Sequence, residues 1–189
     1  MRLGAVLMAS GAAKRFGENK LLYPVDGVPV IQRVFSAVPA GLFARANVVS
    51  CYPEILALAA ERGYEAIPNP QSGEGQSASV RLGLAPLQDM DGVLFAVCDQ
   101  PWLTRQSGVR VLEAFSRNPD KICSLSWQGR RGNPVIFPRA LYPELMDLTG
   151  DQGGRSIIQA NARLLELVEA DGPWELRDVD TPLDLGQMQ

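Results

Sequence analysis

The sequence predicts a three-layer α/β/α fold with a mostly parallel central sheet. Three observations carry this expectation. Short apolar runs alternate with stretches of helical apolar spacing along all 189 residues. The run from Val93 to Cys98 is apolar throughout, as a strand covered on both faces must be. The first run, Ala5 to Met8, passes directly into a small-residue turn, Ala9-Ser10-Gly11. With 46% hydrophobic side chains the chain can fill one substantial core, so a single domain over 1–189 is expected.

The elements follow in order. A buried strand is expected over 3–9, and a helix over Val28 to Ala37, where Val30, Ile31, Val34 and Phe35 share one face. Ala46 to Cys51 reads as a strand, and Glu54 to Arg62 as a helix ended by Gly63. A short strand at Glu65-Ala66-Ile67 stops at Pro68-Asn69-Pro70, and Ser77 to Leu87 reads as a helix. After the strand Val93 to Cys98 come a helix over Ser107 to Asn118 and strands around 122–127 and 134–137. Helices over Leu141–Leu148 and Ser156–Leu165 and a last strand over Glu175–Val179 complete the expectation.

Composition excludes several functions. A net charge of −3 lacks the basic excess of a nucleic-acid-binding surface. No stretch approaches the roughly 20 apolar residues of a membrane span, and the N-terminus lacks the parts of a signal peptide, so a cytoplasmic protein without membrane contact is expected. Cys51, Cys98 and Cys123 are far apart and suggest neither a zinc knuckle nor a redox pair. The chain has no histidine, which rules out Ser-His-Asp and Cys-His nucleophiles. Chemistry falls to carboxylates, cations, backbone dipoles and a hard metal such as Mg²⁺ held through oxygen.

The turn after the first strand offers backbone N–H groups at Ala9, Ser10 and Gly11 to an anion, and Lys14, Arg15 and Lys20 follow. Its spacing is not that of a P-loop: five residues separate Gly11 from Gly17, and Glu18 follows. Nor does it supply Gly-x-Gly-x-x-Gly. The bland alternative is an ordinary βα turn with a solvated basic helix start.

In α/β folds ligands sit at the carboxyl ends of the strands. Cys98-Asp99-Gln100-Pro101 follows the central strand, where Asp99 can hold a metal between phosphates; a simple Asp-x-Pro turn is the alternative. Near the C-terminus, Asp178-Val179-Asp180-Thr181-Pro182-Leu183-Asp184 gathers carboxylates, and Thr181 and Pro182 also read as a helix start. Asp99 and Asp180 are the expected metal pair, with Asp178 behind them or solvated.

Gln71 to Val80 is polar and glycine-rich at its start, suited to placing Gln76 on a base edge and Ser77 or Ser79 on sugar or phosphate; a solvated loop with a Ser cap is the alternative. Two more segments read as acceptor loops: Gly129-Arg130-Arg131-Gly132-Asn133-Pro134 and Thr149 to Ser156, the latter with Asp151, Gly153 and Arg155. Their arginines suit a phosphate or carboxylate, although a basic hairpin and a helix-capping loop would look the same.

The loop around Gly11, Arg15 and Gly17 resembles the signature loop of nucleotidyltransferases that activate small molecules with a nucleoside triphosphate, departing at Ser10 and Ala13. The order of that loop, the Gln-Ser segment, Cys98-Asp99-Gln100-Pro101, Gly132-Asn133-Pro134-Val135-Ile136-Phe137, Gly150 to Arg155 and Val179-Asp180-Thr181-Pro182 resembles the MobA-like and MocA-like family across nearly the whole chain. Asn19-Lys20-Leu21-Leu22 is most similar to the molybdenum cofactor cytidylyltransferase branch; Asn133 stands where that branch often has His. The resemblance implies a Rossmann-like, nucleotide-diphospho-sugar transferase-like fold and transfer of CMP from CTP to a molybdopterin-type cofactor, with Mg²⁺ on Asp99 and Asp180 and with Arg15 and Lys20 steadying the phosphates. It implies that a molybdoenzyme receives the product. A GTP-using cofactor guanylyltransferase, a sugar- or polyol-phosphate transferase and a non-catalytic cofactor carrier are the competing expectations.

Overall fold

The computed structural model describes residues 1–11, 19–181 and 184. The strand β1 (Leu3–Met8) is flanked in parallel by β4 (Arg45–Ser50) and by β6 (Gly92–Val97), the central strand of the sheet. A short hairpin, β2 (Pro24–Val25) with β3 (Val28–Pro29), stands apart from this sheet. Outside β4 lies β5 (Glu65–Pro68); outside β6 come β8 (Arg130–Pro138), β7 (Ile122–Trp127) and β9 (Leu165–Glu169). Among the described residues, only β8 runs against the other six strands of the main sheet. The expected mostly parallel sheet is therefore present.

Alternation along the strands divides the core in two. Ala5 and Leu7 of β1 face one layer with Val48, Leu94 and Ala96, and Val6 faces the other with Val49, Val93 and Phe95. The first layer is closed by α1 (Val30–Ala37), α2 (Pro53–Glu61) and α4 (Arg105–Arg117), the second by α3 (Gln76–Leu84), α5 (Tyr142–Met146) and α6 (Gly154–Ala160). Gly83 lets α3 lie close on the sheet: a Cβ there would come within 2.3 Å of Val6. The Asn47 side chain donates to the Gly83 carbonyl at 2.9 Å. This close seat fixes the N-terminus of α3 over the ends of β1 and β4.

Four expectations change. The helix expected from Val28 begins at Val30, because Asp26 and Gly27 take positive φ values of 49° and 77° and close the β2–β3 hairpin. The helix expected over Ser156–Leu165 stops at Ala160, where the Asn161 side chain bonds the Ile157 carbonyl; Leu165 instead opens β9, parallel to β7. The expected strand Glu175–Val179 is no part of the sheet. Pro173–Leu176 form a 3₁₀ turn, and the chain then runs extended with the Val179 N–H on the Asp99 carbonyl at 2.8 Å. The expected loop 129–134 lies mostly within β8; the turn itself is Gln128 and Gly129, with φ of 49° and 78°.

Burial holds several acids neutral. The Cys123 thiol is pushed up to about 12 by burial and the Glu166 charge. Burial also raises Cys98, Tyr64 and Tyr142. A group with a raised folded-state pKa contributes stability that is complete below its unfolded value and is lost as pH climbs toward the folded value. Through Cys123, stability is therefore expected to hold up to about pH 9 and to fall between pH 9.0 and about 12, by about 1.4 kcal/mol per pH unit. Calorimetry across that range checks it.

Candidate active site

Parallel strands bring the ends of β1, β4 and β6 to one edge, and the turns beyond them form the site. Ser50 donates to the Ala9 carbonyl at 2.9 Å, and Ala9 N–H to the Val49 carbonyl at 2.8 Å. Both backbone groups of Ala9 are thus engaged, while Ser10 and Gly11 line the cleft beyond it. Asn69, just past β5 and almost fully buried, donates to the hydroxyls of Ser10 (3.2 Å) and Ser79 (3.1 Å). It ties the turn after β1 to α3. In the sequence Asn69 stands only within the Pro68-Asn69-Pro70 break, and its place directly after a strand is the signal for this role.

A cleft of about 500 Å³ opens over this edge, lined by Ser10, Gly11, Lys20, Tyr52, Gly73, Gln76, Ser79 and Asp99 among others. Ser77 does not line it and is fully buried, its hydroxyl unpartnered. Asp151, expected with the acceptor residues, lies in this first cleft. The glycines of its loop brace the start of α3: a Cβ on Gly75, whose φ is 98°, would meet the Gly150 carbonyl at 2.5 Å, and one on Gly153 would meet the Gln76 amide at 2.0 Å. Gly153 is a packing position.

A second cleft of about 830 Å³ shares Gln76 and Asp99 with the first and adds Trp102, Trp127, Arg130, Asn133, Asp178 and Asp180. A smaller cavity of about 230 Å³ beside it holds Arg131, Asn133 and Arg155 over an apolar floor that includes Phe95, Phe137 and Ile158. Burial and the Arg155 charge lower the Arg131 pKa, which marks two cations facing one space. Pro134 is buried in β8.

Where the two clefts meet, Lys20 joins both expected carboxylates. Its Nζ donates to Asp99 Oδ2 at 2.8 Å, to the Val179 carbonyl at 2.9 Å and to Asp180 Oδ1 at 3.4 Å. Asn19 caps the turn that carries it, accepting from the Leu21 N–H at 3.1 Å. Burial pulls the Lys20 ammonium down, but the charges and hydrogen bonds of Asp99 and Asp180 outweigh it, and the net shift is upward. Asp178 is held apart by Gln100, which donates to it at 2.8 Å. Its pKa is raised by burial and then by the Asp99 charge, against the Gln100 bond. Asp184 accepts from the N–H groups of Asp180 (2.9 Å) and Thr181 (2.6 Å), fixing the backbone that aims Asp180. Arg15, Lys14 and Gly17 lie outside the described residues.

The segment carrying Asp180 is anchored by Glu175, which is fully buried. Its carboxylate accepts from the Thr104 N–H and hydroxyl (both 3.0 Å), the Ser107 hydroxyl (3.0 Å) and the Asp171 N–H (2.9 Å). Glu175→Ala removes the acceptor of the partly buried Thr104 and Asp171 N–H groups and is expected to destabilise the protein by about 3 kcal/mol, read as a drop in denaturation midpoint.

Two hard carboxylates converging on one cation suit Mg²⁺ by donor type. Among the described residues no three acids, cysteines or histidines gather to hold a metal, so Asp99 and Asp180 would leave the ion's remaining positions to phosphate oxygens and water. Among the described residues no helix is long and apolar enough to cross a membrane.

Residues 5–166 match the MobA-like NTP transferase domain. A probable molybdenum cofactor guanylyltransferase of a Nostoc species is 28% identical over 99% of the chain and 90% of its own length. The nicotine blue oxidoreductase of Paenarthrobacter nicotinovorans is 26% identical over 93% of the chain and 91% of its own. Rv0371c of Mycobacterium tuberculosis superposes with a TM-score of 0.79 at 22% identity, covering 98% and 95% of the two chains. The matched span takes in the β1 turn, Lys20, Asp99 and the whole sheet except the first two residues of β1 and most of β9, and the chain accordingly belongs to the MobA-like NTP transferase family of nucleotidyltransferases.

Proposed function

We propose that this nucleotidyltransferase transfers CMP from CTP to the phosphate of a molybdopterin-type cofactor and releases pyrophosphate. The observation that carries the reading is Lys20 on Asp99 and Asp180 at the junction of two clefts. The first cleft takes the triphosphate along Ser10, Gly11 and Lys20, and the second takes the acceptor beside Arg130 and Asn133. An acceptor phosphate oxygen attacks the α-phosphorus, and the bond to the bridging oxygen breaks, its electron pair leaving with pyrophosphate. The nucleophile is already an anion, so a chain without histidine needs no general base. Mg²⁺, bound by Asp99 and Asp180, would neutralise phosphate charge there. Lys20, with Arg15, stabilises the charge that develops on the leaving pyrophosphate. Arg131 and Arg155 supply positive charge for the acceptor's anionic part.

CTP is favoured by Asn19-Lys20-Leu21-Leu22 and Cys98-Asp99-Gln100-Pro101. A GTP-using reading is favoured by the Nostoc relative, whose name is a guanylyltransferase. Pyrophosphate release with molybdopterin-type cofactor and Mg²⁺, run in parallel with CTP, GTP, ATP and UTP, decides between them: turnover confined to CTP is expected, and a GTP preference replaces the first reading with the second.

A further inference from the structure

We propose that Lys20 is a built-in counter-cation that competes with the divalent metal for Asp99 and Asp180, so that the metal enters with the triphosphate and not ahead of it. The inference rests on the metal role given to these carboxylates above. The Lys20 ammonium sits 2.8 Å from Asp99 Oδ2 and 3.4 Å from Asp180 Oδ1, between the two carboxylates that would hold the ion. A third bond, 2.9 Å to the Val179 carbonyl, holds it there, and its side chain is only 11% exposed. The Val179 carbonyl is itself placed by the neighbouring N–H of Val179 on the Asp99 carbonyl, 2.8 Å. The cradle thus fits a monovalent ammonium with three oxygen acceptors.

Two cations cannot share this point at close range without strong repulsion. A metal that takes both carboxylates must displace the ammonium, and the displaced group needs a new anion. The first cleft supplies a place for one, because Lys20 lines it together with Ser10 and Gly11. A triphosphate bound there draws the ammonium off the carboxylates and opens them to the ion it carries. Binding order and charge neutralisation are then one event, and free metal alone occupies the site poorly.

The test is Mn²⁺ binding, followed by the loss of its free-ion electron paramagnetic resonance signal, without any acceptor present. Wild type, Lys20→Met and the double variant Lys20→Met/Asp99→Asn are titrated with and without CTP. Lys20→Met is expected to bind Mn²⁺ at least about tenfold more tightly than wild type in the absence of nucleotide, and the double variant to lose that gain. Wild type alone is expected to tighten on Mn²⁺ when CTP is added beyond the binding of Mn²⁺ to CTP in solution, which keeps the test usable if Lys20→Met folds poorly. Equal Mn²⁺ affinity of wild type and Lys20→Met, or a wild type that binds Mn²⁺ equally well without CTP, overturns the competition while leaving the metal site standing. No Mn²⁺ bound by any form, with or without CTP, overturns the metal reading itself.

Discussion

Lys20→Ala is expected to lower turnover at least about a hundredfold, the scale on which removing one preorganised electrostatic stabiliser acts, with the fold retained. The loss should fall on kcat more than on the KM for nucleotide, since the ammonium matters most as charge builds on the leaving pyrophosphate. Retention of the fold follows from the surroundings. Lys20 joins no apolar core, and the partner it leaves at Asp180 is 63% exposed on its side chain, so water can take over much of its solvation. Steady-state pyrophosphate release, read beside an unchanged circular dichroism spectrum, checks both halves. Normal turnover in a folded variant would remove Lys20 from the chemistry.

The second large effect is at the carboxylates, and the structure ranks them. Asp99 leaves the end of the buried strand β6 and its side chain is 25% exposed, whereas Asp180 sits on an extended segment outside the sheet and is 63% exposed. A ligand fixed by a rigid element loses more when altered. Asp99→Asn is expected to cost about a thousandfold in kcat and Asp180→Asn nearer a hundredfold. Asp178→Asn is expected to cost less than tenfold and to raise the melting temperature near neutral pH. Its carboxyl is raised by burial and by Asp99, so the ionised form is disfavoured in the fold; that penalty builds as pH rises from the ordinary carboxylate value to the raised one and then stays constant. Kinetics and melting curves on the three variants give the order; a larger kinetic loss at Asp178 than at Asp180 would reverse the assignment of the second ligand.

Much of this was legible in the sequence because strand ends in an α/β fold announce themselves. Asp99 followed an apolar run with nowhere to go but the sheet's carboxyl edge, and Lys20 followed a small-residue turn. Their meeting with Asp180 is long-range, spanning 160 positions between Lys20 and Asp180, and no local pattern fixes it; the pairing of Asp99 with Asp180 is read from two carboxylate clusters that suit one hard metal. The last strand failed for a local reason. Glu175 and Val179 are the buried ends of this segment, but Glu175 is spent on the N-terminus of α4 and Val179 on the Asp99 carbonyl, so the segment braces the site from outside the sheet. β9 was hidden because Leu165 continued a helical apolar spacing that Asn161 had already ended. Asp151 lines the first cleft and not the one with Arg130 and Asn133, because its loop folds back against Gly75.

The most direct test of nucleotidyl transfer is the fate of the α-phosphate. Enzyme, molybdopterin-type cofactor, Mg²⁺ and CTP labelled at the α-phosphorus should yield a cofactor that carries the label and gains the mass of one CMP, with unlabelled pyrophosphate released in equal amount. Label that stays in CTP, or that appears only as free CMP, would contradict the account.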